Sequence, residues 1–129
     1  MKSYFVYILQ CSDDSFYTGM TSNLENRIME HNEGIDTDSY TFKRRPVELK
    51  WFEEFQFVQQ AIETEKQSKG WSRRKKQALI DRDWDRLIRY SKNYSQFGKE
   101  KKKDSSHHFT ISPIHPLLLL TLINTEISP

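Results

Sequence analysis

The chain of 129 residues has the length of one ordinary domain, and with 36% hydrophobic and 29% charged residues it can form only a small core, rich in aromatic side chains. Its single cysteine, Cys11, excludes a disulfide framework and a cysteine-based zinc site, and no segment has the length of a membrane span, so we expect a cytoplasmic protein without membrane association. The net charge of +2 is small, but residues 35–100 carry 15 basic and 11 acidic side chains, which places the positive charge mid-chain, where a polyanion could bind.

The first twenty residues predict a β-hairpin. Tyr4 to Leu9 is β-branched and aromatic, Cys11 to Ser15 has the composition of a turn, and Phe16 to Met20 is a returning strand. Gly19 near the end of the second strand allows backbone or a ligand to approach closely.

A helix is expected directly after the hairpin. Ser22 as N-cap and Glu25 three residues later form a capping-box pattern. The helix should run to about Asn32, with Gly34 as its stop signal. Residues 35–46 have the composition of a loop.

A third strand and three further helices complete the pattern. Alternating apolar residues from Val47 predict a strand to Phe55 or Phe57. The helices are predicted from Val58 to about Lys69, from the Ser72 cap to Ile80, and after an Asp83 cap. The order β-β-α-β-α-α(-α) predicts an α+β domain over residues 1–94, with a three-stranded, mainly antiparallel sheet flanked by helices. Residues 95–129, basic and then Leu-rich, are expected to be a poorly ordered tail.

Several side chains of this pattern suit phosphodiester hydrolysis. Tyr7 and Tyr17 can face the same side of the hairpin, Arg27 and His31 stack at i, i+4 on the next helix, and Glu65 lies on a later one. A carboxylate can hold a hard divalent cation, a guanidinium can neutralise charge on phosphoryl oxygens, and a phenol or imidazole can position water. Each residue also has an ordinary structural explanation when it is considered alone, as a packing tyrosine, a solvated helix face or a helix salt bridge.

The same residues lie in motifs that resemble the GIY-YIG nuclease superfamily. The chain is similar above all to its small stand-alone bacterial members, which are related to the N-terminal nuclease domain of a bacterial excision-repair nuclease. The resemblance covers about residues 3–92 and is carried by Phe5-Val6-Tyr7, Tyr17-Thr18-Gly19, Pro46-Val47-Glu48-Leu49, Ala61-Ile62-Glu63-Thr64-Glu65 and Lys69-Gly70-Trp71-Ser72-Arg73.

The resemblance implies an active site formed by Tyr7, Tyr17, Arg27 and Glu65 around one Mg²⁺ or Mn²⁺ held by Glu65, with His31 assisting as in some members. The implied activity is metal-dependent hydrolysis of DNA, in DNA repair or processing. The sequence departs from the family pattern at Thr21, where relatives often have a lysine, and at Ser68, where they usually have an apolar residue.

Two basic clusters are candidate contacts to nucleic acid. They consist of Lys43, Arg44 and Arg45, and of Lys69, Arg73, Arg74, Lys75 and Lys76. The alternatives to a nuclease are a non-catalytic nucleic-acid-binding module of the same fold and, third, a protein-interaction domain that uses the Leu-rich tail.

Overall fold

The computed structural model describes residues 2–95 of the chain. The chain divides into two compact units, the first ending at Lys76 and the second beginning at Gln77. The elements are β1 (Tyr4–Gln10), β2 (Phe16–Thr21), α1 (Leu24–Glu33), a 3₁₀ turn (Phe42–Arg44), β3 (Glu48–Phe55), α2 (Val58–Lys69), α3 (Arg73–Ile80) and α4 (Trp84–Ser95). This order confirms the predicted α+β fold. From position 96 onward the predicted tail lies outside the described residues.

The sheet has β1 at its centre, with β2 and β3 on either side and both antiparallel to it. Consecutive residues of β1 from Val6 to Leu9 are buried, so both faces of this central strand are covered. This explains why the strand is apolar at consecutive positions rather than at alternate ones. β3 carries one extra residue opposite the Ile8–Leu9 step, since Ile8 pairs with Trp51 and Leu9 with Leu49.

One face of the sheet packs against α1. Alternate residues of β1 and its extension point to this face, and the i, i+4 pair Leu24 and Ile28 of α1 packs on them. The buried members of this cluster are Tyr7, Leu9, Cys11 and Val47. At the far end of α1, the side chain of Asn32 ties the helix to the residue just before β3, because it accepts from the Val47 N–H at 2.7 Å and donates to the Val47 carbonyl at 3.2 Å.

The helix α1 is capped one residue later than predicted. Oδ1 of Asn23, rather than the hydroxyl of Ser22, accepts the backbone N–H of Asn26 at 3.1 Å. The hydroxyl of Thr21 accepts the backbone N–H of Asn23 at 3.1 Å. In a capping box, a glutamate side chain would accept this N–H of the N-cap residue instead. The predicted stop at Gly34 is confirmed, since this residue has φ 71° and its N–H bonds to the carbonyl of Glu30.

The helix α2 packs against the sheet through small buried residues. Ser68 is fully buried, and its hydroxyl donates to the Thr64 carbonyl at 2.7 Å. The buried hydroxyl is therefore hydrogen-bonded within its own helix.

The remaining helices begin where the sequence predicts. The hydroxyl of Ser72 accepts the N–H of Lys75 at 3.3 Å at the start of α3. In the second unit, Oδ1 of Asp83 accepts the N–H of Arg86 at 3.1 Å at the start of α4.

Candidate active site

Tyr7 and Tyr17 lie on the same face of the hairpin formed by β1 and β2. Tyr7 pairs with Gly19 and Leu9 with Tyr17, so the two tyrosines are diagonal neighbours with ring centroids 6.5 Å apart. Tyr7 is 1% exposed, whereas Tyr17 is only partly buried. The prediction that both phenols face one side of the sheet is confirmed.

Gly19 provides the space that the Tyr7 ring occupies. A Cβ atom at position 19 would lie 2.5 Å from Cζ of Tyr7, which is closer than side chains approach one another. The close approach expected at Gly19 is therefore made by the Tyr7 side chain. The absence of a side chain at Gly19 allows the Tyr7 ring to take this position.

α1 brings His31 directly to the two phenols. The imidazole is 4% exposed, its Nε2 lies 3.0 Å from the Tyr7 hydroxyl, and its Nδ1 lies 2.8 Å from Oγ1 of Thr41. Its ring meets those of Tyr7 and Tyr17 edge-on, at centroid distances of 6.0 and 5.3 Å. His31 is therefore held from three sides.

Arg27 lies one turn before His31 and approaches the same hydroxyl group. Its guanidinium interacts with Tyr7, and Nη1 donates to Oε1 of Glu30 at 3.0 Å. The Arg27 side chain is 32% exposed. Because a guanidinium has five N–H donors, Arg27 retains donors for an anion that approaches from solvent.

α2 brings Glu65 to the same region. Its carboxylate raises the pKa of Tyr7 through its charge, and it forms an ion pair with Lys69 at 3.2 Å. The Lys69 ammonium lies 5.5 Å from the centroid of the Tyr17 ring. The Glu65 side chain is 19% exposed, so the carboxylate is largely enclosed but reaches solvent.

The electrostatics of the site keep Tyr7 and His31 uncharged near neutral pH. Burial raises the pKa of Tyr7 to about 12, against the opposing effect of Arg27. Burial also lowers the pKa of His31, and the positive charge of Arg27 lowers it further. The site therefore presents a neutral phenol and a neutral imidazole beside a guanidinium and a carboxylate.

Three residues of the loop after α1 also belong to this arrangement, although the sequence analysis did not identify them as candidates. Ser39 and Thr41 continue the hydrogen bonds from His31, and the Tyr40 ring lies parallel to that of Tyr17, within 16° and with centroids 6.1 Å apart. The guanidinium of Arg44 covers Tyr40 at 3.8 Å. Hydroxyl groups in a polar loop show no periodicity, so the only available signal was their position just after the Arg27–His31 helix.

The first basic cluster follows this loop. Arg44 donates to Asp13 at 3.0 Å and Arg45 to the Phe42 carbonyl at 2.8 Å, so both guanidinium groups are held locally. Lys43 is exposed and lines an open groove of about 690 Å³ beside Phe42 and Arg45. Of the three, Lys43 has the side chain most available to an external phosphate.

The second basic cluster is divided between exposed and buried side chains. Arg73 and Arg74 are exposed, but Lys75 and Lys76 are only 9% and 8% exposed. The Lys75 ammonium lies 4.5 Å from the Trp71 ring, and burial lowers its pKa to about 8. Lys75 and Lys76 could contact nucleic acid only if their side chains moved into solvent, so Arg73 and Arg74 are the better placed members of this cluster.

Comparisons with known proteins identify the family of the chain. Residues 3–78 match the GIY-YIG catalytic domain family. A UPF0213 protein of Haloquadratum walsbyi is 43% identical over 82 residues, which cover 64% of this chain and 91% of the relative. A UPF0213 protein of Syntrophus aciditrophicus is 41% identical over 87 residues, which cover 67% of this chain and 100% of the relative.

A solved structure is also similar to the chain. The solution NMR structure of the UPF0213 protein BH0048 from Bacillus halodurans shares 38% sequence identity, with a TM-score of 0.42, and the match covers 61% of this chain and 83% of that one.

The hairpin tyrosines and the matched region define a GIY-YIG catalytic domain, a class of nuclease domains. The chain belongs to the GIY-YIG family, and the relatives named above are small proteins called UPF0213. The resemblance inferred from the sequence is confirmed. No helix within residues 2–95 is long and apolar enough to cross a lipid bilayer.

Proposed function

We propose that the protein is a divalent-metal-dependent endonuclease that hydrolyses DNA phosphodiester bonds, with a role in DNA repair or processing. The observation that carries this proposal is the meeting of three chemical groups around the phenol of Tyr7. Tyr17, Arg27 and Glu65 all act electrostatically on the Tyr7 hydroxyl, although they come from three different elements. A phosphate and a cation could be bound together in such a place.

Glu65 would hold the metal ion. Within residues 2–95 no group of three His, Cys, Asp or Glu side chains is arranged as a metal site. A single carboxylate still suits Mg²⁺ or Mn²⁺, because Mg²⁺ is commonly bound by one or two carboxylates, with water and substrate phosphate as the other ligands. When bound, the ion would supply Lewis-acid stabilisation of the negative charge that develops on the phosphoryl oxygens.

The other side chains have distinct roles in this proposal. Arg27 binds the scissile phosphate through the donors that Glu30 and Tyr7 leave unused. Tyr17, which is the more exposed phenol, orients or deprotonates the attacking water. Tyr7 and His31 are buried and hold the guanidinium and the Tyr17 ring in place. The attack forms a new P–O bond to the water oxygen and breaks the bond to the leaving nucleotide oxygen.

The exposed cations of the first unit would bind the DNA backbone. Lys43, Arg73 and Arg74 are exposed, and Lys69, also exposed, lies beside Glu65. Contacts to phosphate are independent of sequence and sensitive to salt, because binding releases counterions. The one cysteine within residues 2–95, Cys11, is a buried free thiol, which supports a cytoplasmic location as part of this proposal.

The experiment that tests the proposal is incubation of the purified full chain with labelled single-stranded, duplex and branched DNA in Mg²⁺, Mn²⁺ or EDTA. We expect cleavage of at least one substrate in Mg²⁺ or Mn²⁺ and none in EDTA. Salt-sensitive binding without cleavage in either metal would overturn the nuclease proposal and favour the non-catalytic binding module. Cleavage that continues in EDTA would overturn the metal dependence.

A further inference from the structure

A continuous series of hydrogen bonds leads from the Tyr7 hydroxyl to the loop after α1. Tyr7 lies 3.0 Å from Nε2 of His31, whose Nδ1 lies 2.8 Å from Oγ1 of Thr41. The Thr41 hydroxyl lies 3.1 Å from Oγ of Ser39, which also accepts the backbone N–H of Thr41 at 3.3 Å. Tyr7, His31 and Thr41 are buried, and Ser39 is partly exposed.

The chemistry of the groups gives this series one direction. Arg27, which also interacts with Tyr7, can only donate, so among the described residues the imidazole is the acceptor at hand for the phenolic hydrogen. Nε2 of His31 must then carry no hydrogen. A neutral imidazole with a bare Nε2 has its hydrogen on Nδ1, and that hydrogen points to Thr41.

The opposite tautomer does not satisfy the same groups. With a hydrogen on Nε2, the imidazole and the phenol would both present hydrogens to each other unless Tyr7 turned its own away. The Tyr7 hydroxyl is buried, so its hydrogen would then lack an acceptor, which is unfavourable in a protein interior. Nδ1 could still accept from Thr41, so the hydrogen bond to Thr41 would survive and only its direction would differ.

We propose that Thr41, supported by Ser39, is a positioning residue that holds His31 as the Nδ1–H tautomer, so that Nε2 accepts from Tyr7. The Ser39 hydroxyl accepts the hydrogen of the Thr41 hydroxyl, which leaves Thr41 as an acceptor toward Nδ1. Thr41 thereby acts through His31 and Tyr7 on the orientation of Arg27. Its importance for catalysis rests on the proposed nuclease function, whereas the tautomer of His31 does not.

The direct test is the ¹⁵N and ¹H NMR spectrum of the imidazole nitrogens in the full chain, with the His31 signals assigned from a His31→Gln variant. We expect a protonated Nδ1 and a bare Nε2 in the parent protein near neutral pH. A protonated Nε2 with a bare Nδ1 in the parent would overturn the proposal without any variant.

Three variants extend the test. Thr41→Val keeps the shape of the side chain but removes the hydroxyl, Thr41→Ser keeps the hydroxyl, and Thr37→Val is a matched control at an exposed position of the same loop. We expect the Nδ1–H signal of His31 to be lost or mixed in Thr41→Val, and to be retained in the other two. An unchanged Nδ1–H tautomer in Thr41→Val would overturn the role of Thr41.

The cleavage assay separates this inference from the proposed function. If the parent cleaves DNA, Thr41→Val should lower the cleavage rate by about tenfold, as expected for one lost buried hydrogen bond, with unchanged DNA affinity and rescue in Thr41→Ser. A parent that cleaves nothing would contradict the nuclease proposal, and the NMR spectrum would still decide the tautomer. Full cleavage by a folded Thr41→Val would contradict the positioning role.

Discussion

The hydroxyl of Tyr7 and Nε2 of His31 lie 3.0 Å apart in the protein interior, and these residues are 24 positions apart in the sequence. Their hydrogen bond joins the central strand to the last turns of α1. Because the two side chains are only 1% and 4% exposed, water cannot readily replace either partner when the other is removed. The bond therefore contributes both to stability and to the alignment of the candidate site.

Tyr7→Phe should destabilise the protein by about 1–3 kcal/mol, since it leaves the buried imidazole without its partner. Urea unfolding followed by circular dichroism measures this change. Tyr4→Phe, at a partly buried position of the same strand, is the control and should change stability by less than about 0.5 kcal/mol. Equal effects of the two substitutions would show that the Tyr7–His31 bond has no special importance.

Gly19→Ala should destabilise the protein by about 1–3 kcal/mol, because the added methyl group must displace the Tyr7 ring. Gly70→Ala is the matched control, since a Cβ there lies 3.9 Å from its nearest neighbour and φ is −86°. The urea midpoints of the two variants give the comparison. If Gly19→Ala is as stable as Gly70→Ala, the steric coupling of Gly19 and Tyr7 is wrong.

The stability of the protein should fall as the pH drops below 6.5, the ordinary pKa of histidine. Burial and Arg27 lower the pKa of His31 in the folded state, against the weaker effects of Glu30 and Asp36. In the window between the lowered pKa and 6.5, the unfolded chain binds more protons than the folded one, so acid favours unfolding.

Urea unfolding of the parent and His31→Gln between about pH 8 and about pH 5 measures this contribution. The parent should lose more stability than the variant as the pH falls. Parallel pH profiles for the two proteins would contradict a buried, neutral His31.

The exposed cations, rather than the buried lysines, should determine affinity for DNA. Lys43→Gln and Arg74→Gln should each weaken binding and reduce the slope of log affinity against log salt by about one. Lys75→Met, at a buried position, should leave that slope unchanged. Fluorescence anisotropy with labelled DNA over a salt series measures the affinity and salt slope of all three variants. If Lys75→Met weakened binding as much as the other two variants, the assignment of DNA contacts to the exposed cations would be contradicted.

Most of the fold could be predicted from local patterns. The alternation around Trp51, the caps at Ser72 and Asp83 and the stop at Gly34 are short-range signals, and the structure follows each of them. The N-cap of α1 could not be fixed in the same way. Ser22 and Asn23 can both cap a helix, and the choice depends on Thr21 binding the amide of Asn23.

The candidate site could be predicted only in part, because some of its contacts depend on the three-dimensional structure rather than on local sequence patterns. Tyr7 and Tyr17 were expected on one face because strand periodicity determines it. The contribution of Thr41 depends on how a loop without periodicity folds back over His31. The burial of Lys75 and Lys76 is also set by the three-dimensional structure, whereas the run of charges in the sequence favours exposure.

The central claim is that the Glu65 carboxylate takes part in metal-dependent hydrolysis. Its most direct test is the single-turnover cleavage rate, in Mg²⁺ or Mn²⁺, of Glu65→Gln against Glu63→Gln, an exposed glutamate on the same helix. We predict that Glu65→Gln lowers the rate by about a hundredfold or more, with an unchanged circular dichroism spectrum, while Glu63→Gln cleaves at the parent rate. Cleavage by Glu65→Gln at the parent rate would contradict the account.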